Sequence, residues 1–229
     1  MEINKQKISF HEVALLLRKA LGDPWRLHQT SPLTYCDSAL EILIATVLTQ
    51  ATSDKNALNA WFNFKKVFPA PEMVLTSAAG VLEQTINTSG LAAQKARVIR
   101  GVLEKVREEL GEYSLESLKA DPAMAWSFLN SLPGIGPKTA ACTMLFGLAF
   151  PYFPADVHIH RIVRRLGLIA GKKTPTEIQE FLARQIPEGM HQELHILLLN
   201  LGRRYCRPRE PACPQCPLLR MCLEGSKFT

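Results

Sequence analysis

The stretch Leu132-Pro133-Gly134-Ile135-Gly136-Pro137-Lys138-Thr139-Ala140-Ala141 constrains the fold more than any other part of the sequence. Helical patterns flank it, so its paired glycines predict a tight turn between two helices. Glycine permits positive φ and a close backbone approach, so amides of the turn and of the next helix can point at a nucleic-acid phosphate. A Gly-x-Gly turn alone is more often only a short connection. The leading Leu-Pro and the trailing Lys-Thr-Ala favour phosphate binding.

Helical spacing of apolar residues continues through the rest of the chain. Residues 39–48 are apolar nearly all round, so periodicity permits a buried strand or a buried helix, and the length and alanines favour a helix. Ser53 and Asp121-Pro122 predict helix starts, and Trp61 lies on an apolar stripe that predicts a core position. No segment shows sustained alternation, so we expect an all-α fold. Further helices are predicted at residues 10–21, 71–75, 81–86, 92–110, 157–166, 175–186 and 188–204.

The composition is that of an ordinary globular protein, with 229 residues of which 47% are apolar and 21% charged, and it excludes disorder and collagen. No apolar signal core follows the first seven residues, and the longest apolar run, residues 140–153, is too short to span a bilayer. We therefore expect a cytoplasmic protein, associated with the nucleoid if prokaryotic. The net charge of +6 fits a polyanionic partner, or simply a basic soluble protein.

Four of the six cysteines form the pattern Cys206-x6-Cys213-x2-Cys216-x5-Cys222. Disulfides are rare in cytosolic proteins, so metal ligation is favoured over cross-linking. Four thiolates can surround either a tetrahedral zinc ion or an iron-sulfur cluster. Zinc sites usually pair two short Cys-x2–4-Cys hooks and this sequence has one, so the spacing leaves both metals open.

Two charged residues near the glycine turn are candidates for chemistry. Lys138 lies in the first turn of the predicted helix, where the helix dipole and partial burial would lower the pKa of its amine, as a nucleophile requires. The alternative is a solvated or phosphate-contacting lysine. Asp156 precedes the helix that begins at Val157, so from local sequence it is an N-cap.

Taken together, these features resemble the endonuclease III family, the iron-sulfur branch of the helix-hairpin-helix DNA glycosylase superfamily. The glycine turn resembles the hairpin, the separation of Lys138 from Asp156 matches, and the cysteine spacing agrees at all four positions. Residues 43–52, Gly90-Leu91 before residues 94–96, and residues 201–206 also match. The resemblance extends over residues 38–222, which is most of the chain.

The resemblance implies two helical domains. A six-helix domain with the helix-hairpin-helix would occupy residues 38–148, and residues 1–37 plus 149–229 would form a helical domain carrying the cluster loop, residues 206–222. The active site would lie in the cleft between them. The implied function is base excision repair: a monomeric glycosylase with abasic-site lyase activity that flips a damaged base, an oxidised pyrimidine by family likeness, out of double-stranded DNA.

Site roles also follow from the resemblance. Lys138 would attack the sugar C1′ and form a Schiff base, and Asp156 would assist base departure and proton transfers. Gln50 would fill the hole left by the flipped base, and Leu91 would wedge into the stack beside it.

The resemblance further assigns DNA binding to Gly134 and Gly136 of the hairpin, and it places Arg207 and Arg209 within reach of phosphates. Exposed arginines are otherwise commonly only solvated. A four-iron four-sulfur cluster would be held by Cys206, Cys213, Cys216 and Cys222.

The sequence departs from the family pattern at several positions. Pro137 replaces a basic residue, Val157 replaces a threonine and Ala141 replaces an asparagine, while Ala92-Ala93 remove larger side chains beside the wedge. The usual oxidised pyrimidines are therefore not the only candidate substrates. Two alternatives stay open: a monofunctional glycosylase for alkylated purines or mismatched bases, and a non-catalytic DNA-binding protein with a structural cluster.

Overall fold

A computed structural model describes residues 8–228, and the regular structure in this range is entirely helical, which confirms the predicted all-α fold. Short 3-10 helices connect several of the α-helices, and a π-helical turn, Thr143–Gly147, continues α9. The α-helices are α1 Phe10–Leu21, α2 Pro24–His28, α3 Ala39–Thr49, α4 Asp54–Val67, α5 Pro71–Thr76, α6 Val81–Thr85, α7 Ala92–Leu110, α8 Pro122–Ser131, α9 Pro137–Cys142, α10 Val157–Leu166, α11 Pro175–Gln185 and α12 His191–Arg204.

Local capping groups explain where several helices begin. The Ser53 hydroxyl accepts a hydrogen bond from the backbone amide of Asn56 at the start of α4, and the Asp121 carboxylate accepts two at the start of α8. A side-chain acceptor at this position satisfies amides that have no partner within the helix. Both predicted starts are confirmed. The apolar segment at residues 39–48 is a helix, as favoured.

The structure differs from the predicted elements in three places. The short helix α2 was not among the predicted helices; the Asp23 carboxylate just before it accepts a hydrogen bond from the Trp25 amide at 2.9 Å. Helix α12 begins three residues later than predicted, after Gly189 at a φ of 79°. The π-helical turn after α9 was not predicted.

The chain forms two compact units, which we call the hairpin unit, His28–Tyr152, and the terminal unit, made of the segments before and after it. The domain division expected from the resemblance, with boundaries after residues 37 and 148, stays a prediction.

The core of the hairpin unit is built around α3. Nine of the eleven residues of α3 are buried, and α4, α7 and α9 all pack against it. Trp61 of α4 is fully buried, and its Nε1 donates to the backbone oxygen of Tyr35 at 3.2 Å. Its predicted core position is therefore confirmed.

In the terminal unit, α1 and α10 both pack against α12. Leu17, Leu194 and Leu197 are fully buried in this core, and Arg18 of α1 forms an ion pair with Glu193 of α12. Within residues 8–228, no helix combines the length and the apolar character needed to cross a membrane.

Candidate active site and cysteine loop

The turn between α8 and α9 has the hairpin geometry that the sequence predicts. Leu132 and Ile135 are buried, and the Ile135 amide donates to the Leu132 carbonyl at 3.2 Å. Gly134 has a φ of +72°, and a Cβ there would lie 2.4 Å from Cγ2 of Val98. Both the backbone conformation and the lack of space therefore require glycine at this position.

Gly136, the second glycine of the turn, is not required by the fold. Its φ is −95°, and a Cβ there would have no neighbour within 4 Å. Gly136, Pro137 and Lys138 are all exposed. Because the first amides of a helix have no acceptor within it, a phosphate oxygen could reach the start of α9 over this glycine.

Lys138 is the second residue of α9 and is exposed, contrary to the expected partial burial. The next residue, Thr139, is buried, and its Oγ1 accepts a hydrogen bond from Nε2 of Gln50 at 3.1 Å. The structure thus brings Gln50 next to the residue that follows Lys138. Gln50 and Lys138, both predicted site residues, therefore lie close together in the hairpin unit.

Leu91 occupies a turn whose conformation is unusual for its residue type. It has a φ of +51° and is 57% exposed, and it follows Gly90 at a φ of +69°. A left-handed conformation costs a residue with a Cβ roughly 1–2 kcal/mol. Ala51, which follows Gln50, has a φ of +50° and carries the same kind of strain. Both predicted DNA-opening residues therefore lie in or beside a strained turn.

Lys95 connects these two turns, a role that was not predicted from the sequence. Its side chain is 2% exposed, and its Nζ donates to the backbone oxygens of Leu48 at 2.9 Å and Ser89 at 2.7 Å. Burial lowers the pKa of Lys95 to about 8. A signal was available, because Lys95 lies on the same stripe of α7 as the buried Ala96 and Ile99.

Asp156 lies in the terminal unit, where it is the N-cap of α10. Its Oδ1 accepts from the amides of His158 at 2.9 Å and Ile159 at 2.8 Å. The capping role expected from local sequence is therefore present. Both bonds use one oxygen, so the carboxylate has a second oxygen for other partners.

Arg207 and Arg209 are both exposed. Nη2 of Arg207 donates to the Glu210 backbone oxygen at 3.1 Å, and the Arg207 backbone oxygen accepts from Arg165 of α10 at 2.7 Å. The backbone of this loop is thus fastened to α10 while the two guanidinium groups remain accessible.

The four cysteines of the C-terminal loop are half-buried free thiols. The loop is held by two arginines of α10. Arg161 donates from Nε to the Cys206 backbone oxygen at 2.7 Å, and Arg165 donates from Nη1 to the Cys206 sulfur at 3.4 Å. The thiols are Cys206, Cys213, Cys216 and Cys222.

Burial, the neighbouring thiols and backbone amides all affect the pKa values of Cys216 and Cys222. Burial is the main cause that raises the pKa of Cys216 to about 11, with smaller contributions from the three other thiols, while the Leu218 amide lowers it. Burial likewise raises the pKa of Cys222, and the amides of Gly225 and Glu224 oppose it. Backbone amides directed at sulfur stabilise thiolates and tune iron-sulfur clusters.

This donor set fits a polynuclear cluster by its chemistry. In a four-iron cluster each cysteine binds a different iron, so the thiolates need not converge on one point. Four half-buried thiols lie on one loop, and backbone amides lower the pKa of two of them, Cys216 and Cys222, which is the donor chemistry that such a cluster uses.

The all-α fold and the glycine hairpin between α8 and α9 are those of a helix-hairpin-helix protein. The family model of the HhH-GPD superfamily base excision DNA repair proteins matches residues 44–188. The chain belongs to this superfamily. Its resemblance to the endonuclease III family is confirmed by individual relatives.

Endonuclease III of Thermotoga maritima is 33% identical over 181 residues, which cover 79% of this chain and 81% of the relative. Endonuclease III of Bacillus subtilis is 28% identical over 187 residues, covering 82% of each chain. A solved endonuclease III in a non-covalent complex with DNA has a TM-score of 0.73 and 25% identity, over 94% of this chain and 97% of that one.

Proposed function

We propose that the protein is a base excision repair enzyme that removes a damaged base from double-stranded DNA and then cleaves the strand, with Lys138 as the nucleophile. The observation that carries this proposal is the exposed Lys138 at the start of the hairpin helix, in a chain that belongs to the base excision repair superfamily. The substrate class that the family likeness supports is an oxidised pyrimidine.

The amine of Lys138 forms a bond to C1′ of the sugar while the N-glycosidic bond breaks and the base leaves with a proton. The remaining amine proton is then transferred to the sugar O4′ as the C1′–O4′ bond breaks, and this ring opening gives an imine between Lys138 and C1′. Removal of a proton from C2′ then expels the 3′ phosphate by β-elimination. Free Lys138 is regenerated when water hydrolyses the imine.

Asp156 assists these proton transfers and stabilises the positive charge that develops on the sugar. Two amides of α10 fix the Asp156 carboxylate through Oδ1, so its position is set before substrate binds. A preorganised charge costs little reorganisation during the reaction.

Duplex opening is assigned to Gln50 and Leu91. Leu91 is a large, exposed apolar side chain on a turn, which suits insertion between stacked bases. Gln50 carries both donors and an acceptor, and these suit the edge of a base that has lost its partner. Its bond to Thr139 keeps it beside the hairpin helix.

Phosphate binding is assigned to the hairpin amides around Gly134 and Gly136, together with Arg207 and Arg209. The exposed start of α9 and the two accessible guanidinium groups support this assignment. The net charge of +6 agrees with a polyanionic partner. We further propose that the protein acts as a monomer in the cytoplasm, at the nucleoid of a prokaryotic cell.

A four-iron four-sulfur cluster is the proposed cofactor, held by the four loop cysteines. When bound, it supplies four metal-thiolate bonds that fix the loop. Around it, Arg161 and Arg165 fasten the loop backbone to α10, and the amide of Leu218 is directed at the Cys216 sulfur. The loop thereby presents Arg207 and Arg209 to DNA.

The test is covalent trapping with borohydride, which reduces an imine to a stable secondary amine. Wild-type protein should be trapped on a duplex with an abasic site, and Lys138→Gln should not be. Gln keeps most of the length and a polar head, so duplex binding should change little. Base release without any trapping would favour the monofunctional glycosylase, and binding without base release from a panel of lesions would favour the non-catalytic protein.

A further inference from the structure

We propose that Lys95 is a positioning residue that locks the Gln50 turn to the Leu91 turn, so that the two duplex-opening side chains act as one unit. This inference rests on the proposed function of Gln50 and Leu91. Lys95 is buried, and it acts through hydrogen bonds to the backbone of both turns.

The two hydrogen bonds of Lys95 end at equivalent places in the two turns. Leu48 lies two residues before Gln50, and Ser89 lies two residues before Leu91. One buried ammonium group donates to both backbone oxygens, at 2.9 Å and 2.7 Å. A shift of either turn relative to the other would break one of these bonds.

The bond to Leu48 also satisfies a carbonyl at the C-terminal end of α3. The last four carbonyls of a helix lack partners within it. In α3, the Thr46 carbonyl accepts from the Thr49 hydroxyl and the Val47 carbonyl accepts from the Gln50 amide. The Leu48 carbonyl is satisfied by Lys95, whose positive charge suits the negative end of the helix dipole.

Both turns are strained, so the hydrogen bonds from Lys95 help to hold their backbone conformations. Ala51 and Leu91 are both non-glycine residues at a φ near +50°, a conformation that persists only when the surrounding structure holds it. The bond from Gln50 to Thr139 extends the connection to the hairpin helix. A continuous path therefore runs from Leu91 through Lys95 and Gln50 to the residue beside Lys138.

Helix packing alone does not explain a lysine at this position. The neighbouring buried residues of α7, among them Ala96 and Ile99, are apolar. Burial of an amine disfavours its charged form, and an apolar side chain of similar size would avoid that cost. The lysine stem fills the same space as methionine, so what Lys95 adds is the pair of hydrogen bonds.

The primary experiment compares Lys95→Met with Lys105→Met, a lysine on the same helix that pairs with Glu109 at the surface. The substrates are a duplex with one 5-hydroxycytosine and a single strand with a preformed abasic site. Lys95→Met should slow base release from the duplex at least tenfold and change cleavage of the single strand less than twofold. Lys105→Met should change neither. A merely structural defect in Lys95→Met would slow both reactions equally and overturn the proposal.

A double-mutant cycle tests the route of the effect. If Lys95 acts by holding the Leu91 turn, Lys95→Met should cost little further activity in a Leu91→Ala background, because the side chain that it positions is gone. Additive losses would contradict the proposal. Lys95→Arg, which keeps charge and donors, should recover part of the duplex activity, whereas activity no better than that of Lys95→Met would count against it.

Amide hydrogen exchange on the wild-type protein tests the coupling of the two turns without any variant, so it applies even if Lys95→Met does not fold. If Lys95 locks the two turns together, their backbone amides should exchange through one opening event and show the same free energy of opening, at residues 49–52 and 89–92. Independent opening of the two turns would refute the inference. Failure of the proposed function is distinguishable, because it would appear as the absence of trapping and of base release in the wild-type protein.

Discussion

At the residue scale, Asp156 caps α10 and is proposed to assist catalysis, and two substitutions can separate the cap from the proposed catalytic role. Asparagine is as good an N-cap as aspartate, so Asp156→Asn should keep α10 intact and leave stability nearly unchanged. Asp156→Ala should lose about 1 kcal/mol of stability with the cap. Both variants should slow base release by roughly 10²–10⁴-fold, as loss of a positioned acid-base group does. Denaturant unfolding and single-turnover base release measure the two effects. Full activity of Asp156→Asn would limit this residue to capping.

Residues whose roles depend on local sequence could be predicted, and those that depend on distant contacts could not. The N-cap position of Asp156 follows from the helix that starts one residue later. Lys95 bonds to Ser89 nearby, but its second acceptor, Leu48, lies 47 residues away. Its role appears only once α3 and α7 are packed together. The exposure of Lys138 likewise depends on the surrounding fold, and local sequence predicted it wrongly.

At the scale of one element, substitutions in the hairpin turn can show which glycine is needed for folding and which for DNA binding. Gly134→Ala should destabilise the protein by more than about 1 kcal/mol, because the position needs a positive φ and has no room for a Cβ. Gly136→Ala meets no neighbour, so its stability should change by less than about 1 kcal/mol. We expect it instead to weaken binding to duplex DNA, since a methyl group blocks close approach to the backbone. Thermal unfolding and binding titrations at fixed salt check the pair. Unchanged DNA binding by Gly136→Ala would contradict the proposal that the hairpin contacts DNA.

The turn before α7 gives a second prediction at this scale. Leu91→Ala removes the exposed side chain that we propose as the wedge, and it leaves the turn itself in place. Processing of a damaged base in a duplex should fall much more than cleavage at a preformed abasic site, where less stacking must be broken. Rates measured on both substrates under single-turnover conditions give the comparison. Equal losses would mean that Leu91 only covers the core.

Helices were predicted accurately where their ends carry local signals. Helix α7 has the bounds expected from sequence, because it starts after Gly90-Leu91 and is capped at its end by Gly111, which has a φ of 77°. The π-helical turn after α9 lies in a run of residues that is mostly buried and apolar. Apolar periodicity cannot distinguish a π-helical turn from an α-helix in such a run. Its position therefore became visible only in the folded chain.

At the scale of the whole molecule, the proposed cofactor would cross-link the segments of the cysteine loop, which α10 otherwise holds by hydrogen bonds. Three gaps in the cysteine pattern lack α-helices, and short 3-10 turns occupy part of them. Metal binding and local folding are coupled in such loops. We therefore expect purified protein to be brown, with broad visible charge-transfer absorbance and iron bound to the chain.

Substitution of a loop cysteine should remove the iron and loosen the terminal unit without directly altering the hairpin unit. Cys213→Ser should lower iron content, the yield of folded protein and DNA binding together, because Arg207 and Arg209 lie on the same loop. Cys36→Ser is the matched control, since the Cys36 thiol lies in the hairpin unit and donates to the Pro32 backbone oxygen at 3.4 Å, a bond that serine can make. It should retain full iron. Metal analysis, visible absorbance and DNA titration of both variants test this prediction. If the wild-type protein contained one zinc ion and no iron, the cluster proposal would be wrong, and the cysteines would form the zinc site that their spacing also allows.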